Sequence, residues 1–244
     1  MSGDRVQDMG RAHPSTPGMI ALLGALICAS AVCLVLLAVR VKLTGSGIYT
    51  FMRWNLILAW LPMLFALLLT IGVRRRVPSL VIALAGLLWL LFLPNAPYLV
   101  TDVVHLGSLW ATAPIWFDLL MFGAFGLTGL LIGYGSLYLV HATVSSRFGP
   151  AAGWCTTFAA LALTSVGIYF GRVFRLNSWD AFTRPELLAA IVHHRLSNPL
   201  GHPGLFPLLG GMVVLLAGGY ALFYASTRAA REAIARHGSP GLFR

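Results

Sequence analysis

Long apolar runs divide the chain into regular segments. Six of them, at residues 18–40, 54–73, 79–99, 115–140, 153–174 and 205–226, contain almost no charged residue. A helix needs about 20 apolar residues to cross the hydrocarbon core of a bilayer, so this pattern predicts about six membrane-spanning helices. The predicted fold class is all-α, a polytopic transmembrane helix bundle. The short connections favour one domain over residues 18–227, between a flexible polar tail at 1–17 and a basic tail at 228–244.

The last long connection is predicted to hold a further helix that lies in the membrane interface. Thr183 and Glu186 have the spacing of a capping box, and Pro185 is tolerated in the first helical turn. The apolar side chains that follow form one face of a helix ending near Leu196; they are Leu187, Leu188, Ile191 and Val192. A helix with one apolar and one polar face lies flat at a bilayer surface.

Composition supports a membrane location and excludes one function class. Of the 244 residues, 58% are hydrophobic and only 10% are charged, whereas soluble domains carry about 25% charged residues. A formal net charge of +10 would suggest nucleic acid in a soluble protein. Here the basic residues cluster at the ends of apolar runs, where they contact lipid headgroups, and the chain has no nucleic-acid-binding motif. The three cysteines fall inside apolar runs and are predicted to be buried.

The distribution of lysine and arginine predicts the orientation. Ten of the 17 lie in the tails and in the connections after the second and fourth spans, and seven lie on the other side. The triplet from Arg74 to Arg76, in a short connection, is typical of a cytoplasmic loop. Both termini are therefore predicted to be cytoplasmic.

Counting spans also predicts where the unusual polar residues meet. With six spans, the first, third and fifth connections lie on the same membrane face. They hold residues 53–55, then Asp102 and His105, then the segment from Arg172 to Arg195. These polar residues are therefore predicted to converge on one surface, the extracytoplasmic one.

The stretch LFLPNAPYLVTDVVHL, residues 91–106, interrupts the third span. Its two prolines cannot donate backbone hydrogen bonds, so the carbonyls of Leu90 and Leu93 are predicted to lose their helical partners. Asn95 can satisfy part of that demand with its side chain, and it is also a candidate substrate-binding residue. Either the span simply ends here at the interface, or the broken end offers carbonyls to a ligand.

Asp102 and His105 lie three residues apart, on the same side of a helical turn. That spacing suits a shared divalent metal, or an imidazole that is oriented by the carboxylate and acts as a general base. The simpler alternative is that Thr101 or Asp102 caps a short surface helix. Asp102 and His105 are therefore candidate catalytic residues and candidate metal ligands, although no cofactor is expected.

Asp118 is a third candidate catalytic residue. It lies about one turn inside the fourth span, where an ionised carboxylate needs a partner. Arg172 and Arg175, at the end of the fifth span on the same face, are the predicted partners. The alternative to a site role is an Asp118–Arg172 ion pair that fixes helix packing.

The longest polar patch is GIYFGRVFRLNSWD, residues 167–180. Arg172 and Arg175 lie on one helical face, and Asn177 and Asp180 follow. Two guanidinium groups beside an amide can grip a phosphate or a carboxylate, so these four are candidate substrate-binding residues. The alternative is that the arginines only snorkel to the interface beside a tryptophan of the aromatic belt.

Glycines recur on two of the predicted spans. Gly126, Gly129 and Gly133 form a stripe on the fourth span, and Gly210-Gly211 and Gly218-Gly219 lie in the sixth. Small residues let helix backbones approach closely in a membrane. Both sets are predicted to be packing positions.

These motifs resemble a known family. The segments WNLILAW, LFLPNAPYLVTDVVHL, WFD and GIYFGRVFRLNSWD are similar to those of a bacterial family of predicted membrane proteins, catalogued as domain of unknown function 1361, over roughly residues 54–200. The resemblance implies a location in the bacterial cytoplasmic membrane and names no activity. The positions that match the family's motifs are Asn95, Asp102, His105, Asp118, Arg172, Asn177 and Asp180.

The one-sided arrangement predicts a binding or catalytic site at the membrane surface for a lipid-linked or anionic substrate. The sequence does not decide whether the protein is an enzyme. The alternatives are a small-solute transporter or channel subunit, and a structural or assembly protein. Coupled transporters usually place ionisable groups near the midplane, and the middles of these six spans contain no Asp, Glu, Lys or Arg. Expected partners are the lipid bilayer and the ligand, with a homo-oligomer as an open alternative and no nucleic acid.

Overall fold

The protein is described by a computed structural model that covers residues 16–106, 113–197 and 204–237. Within these residues the chain is helical and has no β-strand. The helices are α1 (Thr16–Thr44), α2 (Phe51–Arg74), α3 (Ser79–Phe92), α4 (Asn95–Thr101), α5 (Ile115–Phe148), α6 (Pro150–Phe174), α7 (Asp180–Thr183), α8 (Pro185–Ser197) and α9 (Leu205–His237). A 3₁₀ turn at Asp102–His105 continues α4.

Six helical segments are long and apolar enough to cross a membrane. They are α1, α2, α3 together with α4 and its following turn, α5, α6 and α9. The predicted all-α fold with about six spans is therefore confirmed. The predicted tail at 1–17 lies outside the described residues except at its end, because α1 begins at Thr16. Helix α9 continues to His237, so the first part of the predicted basic tail is helical, and residues 238–244 lie outside the described residues.

The helix predicted in the last long connection is present as α8, but its predicted capping box is wrong. Thr183 belongs to the short helix α7, so its hydroxyl points back into the preceding turn. It donates to the Trp179 carbonyl and to the Asp180 carboxylate, each at 3.3 Å. The side chain that was expected to cap α8 is therefore already engaged.

Helix α5 lies at the centre of the bundle. It contacts α1, α2, α4, α6 and α9, and it buries more residues than any other described helix. Its glycine stripe faces α4: a Cβ atom on Gly129 would collide with the Ala96 carbonyl oxygen, and one on Gly133 would lie 3.2 Å from the Ala96 side chain. The predicted close packing at this stripe is confirmed. It holds α4, and with it the turn that begins at Asp102, against the middle of the bundle.

The glycines of the sixth span behave differently. A Cβ atom on Gly210, Gly211 or Gly218 would meet no described atom within 4 Å, whereas one on Gly219 would collide with the Tyr134 hydroxyl. Three of these four positions were therefore wrongly predicted to be packing positions. In a membrane both the bundle side and the lipid side of a helix are apolar, so sequence periodicity does not separate them.

The same ambiguity affects the cysteines. Cys33 is buried and its sulfur lies 3.4 Å from the Thr128 hydroxyl. Cys28 and Cys155 are exposed on the outside of the bundle. Burial of all three was predicted, and it is correct for Cys33 alone.

The third span does not end at its prolines. Helix α3 ends at Phe92 and α4 begins at Asn95, after a two-residue break. The predicted loss of a partner for the Leu93 carbonyl is wrong, because the Ala96 amide donates to it at 3.2 Å. The Asn95 side chain satisfies a different carbonyl, that of Phe92, at 2.9 Å. The carbonyls of Leu93 and Phe92 therefore each have a hydrogen-bond donor within the chain.

Helix α6 ends in a residue of left-handed conformation. Arg175 has a φ of +54°, and the Leu176 amide donates to the Phe170 carbonyl at 3.4 Å, as is common at helix C-termini. This conformation costs a non-glycine residue about 1–2 kcal/mol. The turn it makes starts the loop that carries Asn177 and Asp180.

An aromatic cluster joins α9 to the bundle at the opposite end. The Nδ1 atom of His141 lies 2.9 Å from the Tyr220 hydroxyl oxygen. The imidazole stacks on the Tyr224 ring and packs edge-on against Trp154, with centroids 5.2 Å and 4.7 Å apart. These contacts fix α9 to α5 and α6 at the end of the bundle that is remote from the polar residues of α4.

Candidate functional site

A cavity of about 630 Å³, here called the surface cavity, lies between the outer ends of α2, α4 and α6 and the loop after α6. Its polar lining residues are Asn55, Asn95, Tyr98, Asp102, His105, Arg172, Arg175, Asn177, Ser178 and Asp180. The structure thus brings together seven of the eight candidate residues, and Asp118 is the exception. That these residues bind a ligand stays a prediction.

Arg172 is the most extensively bonded side chain of the surface cavity. Its Nη2 atom donates to Asp102 Oδ1 at 2.8 Å, and its Nε atom donates to the Thr101 hydroxyl at 3.1 Å. The guanidinium also lies 4.4 Å from the centre of the Tyr98 ring. Asp102 is only 1% exposed and accepts a second hydrogen bond from the Asn55 amide at 2.9 Å. A buried carboxylate needs such partners, so Asp102 and Arg172 hold each other in place.

His105 lies at the exposed edge of the surface cavity and is oriented by Arg172 rather than by Asp102. Its Nε2 atom is 3.4 Å from Arg172 Nη1, and because a guanidinium only donates, Nε2 accepts in this contact. Its ring packs edge-on against Phe51, and its carbonyl accepts the Tyr49 hydroxyl at 3.0 Å. The carboxylate-oriented imidazole suggested by the sequence is therefore not the arrangement observed.

The same geometry disfavours a metal shared by Asp102 and His105. Among the described residues, no group of three or more His, Cys, Asp or Glu side chains is placed to hold a metal ion. The Arg172 guanidinium contacts both the carboxylate and the imidazole, in the space where a shared ion would need to bind. A cation there would also face the positive charge of Arg172.

Asp180 shapes the loop that follows α6. Its Oδ2 atom accepts the backbone amide of Asn177 at 2.7 Å, and its Oδ1 atom lies 3.3 Å from the Thr183 hydroxyl and 3.8 Å from Arg184 Nε. The hydrogen bond from the Asn177 amide, helped by Thr183 and Arg184, holds the pKa of the Asp180 carboxyl below its ordinary value although burial opposes this. The carboxylate is thus engaged within the loop that presents Asn177.

Asn95 joins the third span to the same loop. Its side-chain amide donates to the Ser178 hydroxyl at 2.8 Å as well as to the Phe92 carbonyl. The third span and α6 can approach this closely because Gly167 of α6 has no Cβ atom, and a Cβ atom there would collide with the Pro94 ring. A hydrogen bond across this contact fixes the position of the loop relative to α4.

Asp118 lies outside the surface cavity, and its predicted pairing with Arg172 or Arg175 is wrong. Its carboxylate is bound by Arg40, at the end of α1, with Nε–Oδ1 and Nη2–Oδ2 distances of 2.7 Å and 3.3 Å. Arg40 is 0% exposed and Asp118 is 1% exposed, and the guanidinium lies 4.1 Å from the centre of the Tyr49 ring. Arg172 is not available to Asp118 because Asp102 already binds it.

Sequence reasoning did not select four polar residues of the site, which are Asn55, Tyr98, Thr101 and Ser178. For two of them, Tyr98 and Thr101, the spacing from Asp102 in the sequence indicates a place in the site. Tyr98 and Thr101 precede Asp102 by four residues and one residue, so a helical continuation past the prolines places Tyr98 beneath the same arginine as Asp102. The sequence left open whether the span ends at the prolines, and this relation follows only if the helix continues past them.

Comparison with known proteins gives one match. A family model described as "Protein of unknown function (DUF1361)" matches residues 54–217, about two thirds of the chain, and this range includes every polar residue of the surface cavity. No curated protein and no solved structure matches the chain. Arg40 and Tyr49, which complete the environment of Asp118, lie outside the matched range. The chain therefore belongs to the DUF1361 family of proteins of unknown function.

Proposed function

We propose that the surface cavity binds an anionic group, such as a phosphate or a carboxylate, of a ligand that reaches it at the membrane surface. This proposal depends mainly on the unpaired charge of Arg175 among the described residues. Arg175 lines the cavity, yet its guanidinium has no ion pair with any residue that the structure describes. A guanidinium offers five donors in a fork that suits phosphate and carboxylate oxygens.

The carboxylates of the cavity are already compensated. Asp102 is bound by Arg172 and Asn55, and Asp180 is paired with Arg184, whose Nε atom lies 3.8 Å from its Oδ1 atom. Among the described lining residues, the charge without a counter-charge is therefore the positive one of Arg175. A cleft with an uncompensated positive charge attracts anions.

The two arginines take different roles in this proposal. Arg172 directs its donors to Thr101, Asp102 and His105, so it maintains the shape of the cavity. Arg175 is exposed and lies at the left-handed end of α6, so its side chain is accessible to a ligand that enters the cavity. Asn177, whose side-chain amide makes only a long 3.5 Å contact with Asp180, is the second donor for the ligand.

The lysine and arginine counts along the chain favour the extracytoplasmic face for this cavity, and the resemblance described above implies a bacterial cytoplasmic membrane. A site on that face meets ligands that are carried by the membrane or dissolved outside it.

Titration of detergent-solubilised protein with inorganic phosphate tests the proposal. Arg175→Gln is expected to weaken phosphate binding about 10- to 100-fold, because a hydrogen bond to a charged group contributes about 1.5–3 kcal/mol. Arg76→Gln is the matched control: Arg76 is also an arginine with a φ of +54°, in the connection on the opposite face. Its substitution is expected to leave phosphate binding unchanged. Equal phosphate affinities of the two variants, measured by calorimetry at low ionic strength, would contradict the proposal.

A further inference from the structure

The surface cavity is larger than an anionic group requires. Its volume of about 630 Å³ falls in the range of about 300–1,000 Å³ that is typical of pockets for drug-sized ligands. Arg175 and Asn177 line only its outer part, near the end of α6. The remaining volume needs a different occupant.

On three separate helices a polar lining residue is followed, further inward, by lining residues without polar side chains. On α2, Phe51 and Asn55 line the outer turns and Leu58 lies about one turn further inward. On the third span, Leu91 lies one turn deeper than Asn95, and on α6 Gly167 lies deeper than Arg172. Each step is three to five residues, or about 4.5–7.5 Å along a helix axis.

The deeper part, here called the apolar floor, is formed by Leu58, Leu91, Pro94, Gly167 and Phe170. None of these side chains carries a polar group that could hold water. Helix α2 enters the bilayer at this face, whereas α3 and α6 leave it there, so the floor lies on the side of the cavity toward the middle of the membrane. Leu188 of α8 closes the cavity from the loop side. The result is a polar entrance above an apolar base.

We infer that the ligand is an amphiphile, with an anionic head bound at Arg175 and an alkyl tail that covers the apolar floor. This inference rests on the proposed anion site and adds the chemical class of the rest of the ligand. A phosphate or carboxylate ion dissolved in water would occupy only the anion site at Arg175 and would leave the apolar floor uncovered. An amphiphile satisfies both halves, and it is the class of molecule that the bilayer delivers to this depth.

A series of probes with one head and increasing tails tests the inference. Inorganic phosphate, ethyl phosphate, butyl phosphate and hexyl phosphate are titrated into the protein in a non-ionic detergent. Each methylene that reaches the floor is expected to lower Kd about two- to fourfold, since full burial of a methylene corresponds to about 0.8 kcal/mol. Leu91→Asn is expected to remove this dependence on tail length while leaving the Kd of inorganic phosphate unchanged.

The matched control is Leu87→Asn. Leu87 lies one turn earlier on α3, is 57% exposed, and does not line the cavity, so this variant is expected to keep the dependence on tail length. If the Kd is the same for all four probes in the wild-type protein, the amphiphile inference is wrong and the anion site stands. If the dependence persists equally in both variants, it arises from the detergent and the inference is also wrong. If no probe binds to the wild-type protein, both proposals fail.

Discussion

The Arg40–Asp118 ion pair allows a quantitative prediction. The pair is bidentate, at 2.7 Å and 3.3 Å, and both side chains are at most 2% exposed. Removing one partner of a buried ion pair typically costs about 3–5 kcal/mol, because the remaining charge is left without compensation. Coulomb's law gives a similar figure, about 4 kcal/mol for charges 4 Å apart at an effective dielectric constant of 20. Asp118→Ala is therefore expected to lower the free energy of unfolding by about 3–5 kcal/mol.

The double variant identifies the partner of Asp118. In Arg40→Met/Asp118→Ala neither charge is present, so its loss of stability is expected to be at least 2 kcal/mol smaller than the sum of the two single losses. Arg172→Gln combined with Asp118→Ala is the control, and here the losses are expected to add within about 0.5 kcal/mol. Unfolding is followed by circular dichroism in mixed micelles of increasing SDS content. A strong coupling of Asp118 to Arg172, or a loss below about 1 kcal/mol in Asp118→Ala, would refute the assignment.

Two further predictions concern α5 and the loop after α6. Gly129→Ala is expected to destabilise the protein and to weaken phosphate binding, because its Cβ atom would displace the Ala96 carbonyl and shift α4. The control is Gly123→Ala on the same helix, where a Cβ atom has free space. This substitution is expected to be neutral or slightly stabilising. For the loop, the folded-state pKa of Asp180 is lowered, so its contribution to stability is present above the unfolded pKa of about 3.9 and is lost as the pH falls through the lower folded-state pKa. In the wild-type protein, limited proteolysis after Asn177 is expected to increase when the pH is lowered from 5 to 3. Asp180→Asn is expected to show raised cleavage at both pH values. If this variant resists cleavage at pH 5 as well as the wild type does, the role of Asp180 in holding the loop is contradicted.

The grouping of polar residues could be predicted because it depends only on counting spans. Once six spans are recognised, the connection that contains Asp102 and the one that contains Arg172 must lie on the same face. The apolar runs that identify the spans are long and nearly free of charge, so this count is robust. The structure places both residues at one cavity, with Arg172 Nη2 2.8 Å from Asp102 Oδ1.

The individual pairings could not be predicted in the same way. Arg40, Arg172 and Arg175 all lie at span ends on the face of Asp118, and sequence does not give the angular order of the helices around the bundle. That order depends on contacts such as Gly129 against Ala96 and Gly167 against Pro94, which pack α5 and α6 against the third span. Arg40 was therefore counted as an ordinary loop charge, although it is fully buried.

The break between α3 and α4 determines how deep the surface cavity lies. Helix α3 has 14 residues and is about 21 Å long, which is shorter than the hydrocarbon thickness of about 30 Å. Measured along the helices from Ser79, Asn95 lies about 24 Å and Asp102 about 35 Å away, so a hydrocarbon core of about 30 Å that starts at Ser79 ends between these two residues. A bilayer of shorter lipids would bring Asn95 toward the headgroups and a thicker one would draw it inward. Lipid chain length thus becomes a variable that sets which part of the cavity is in contact with water.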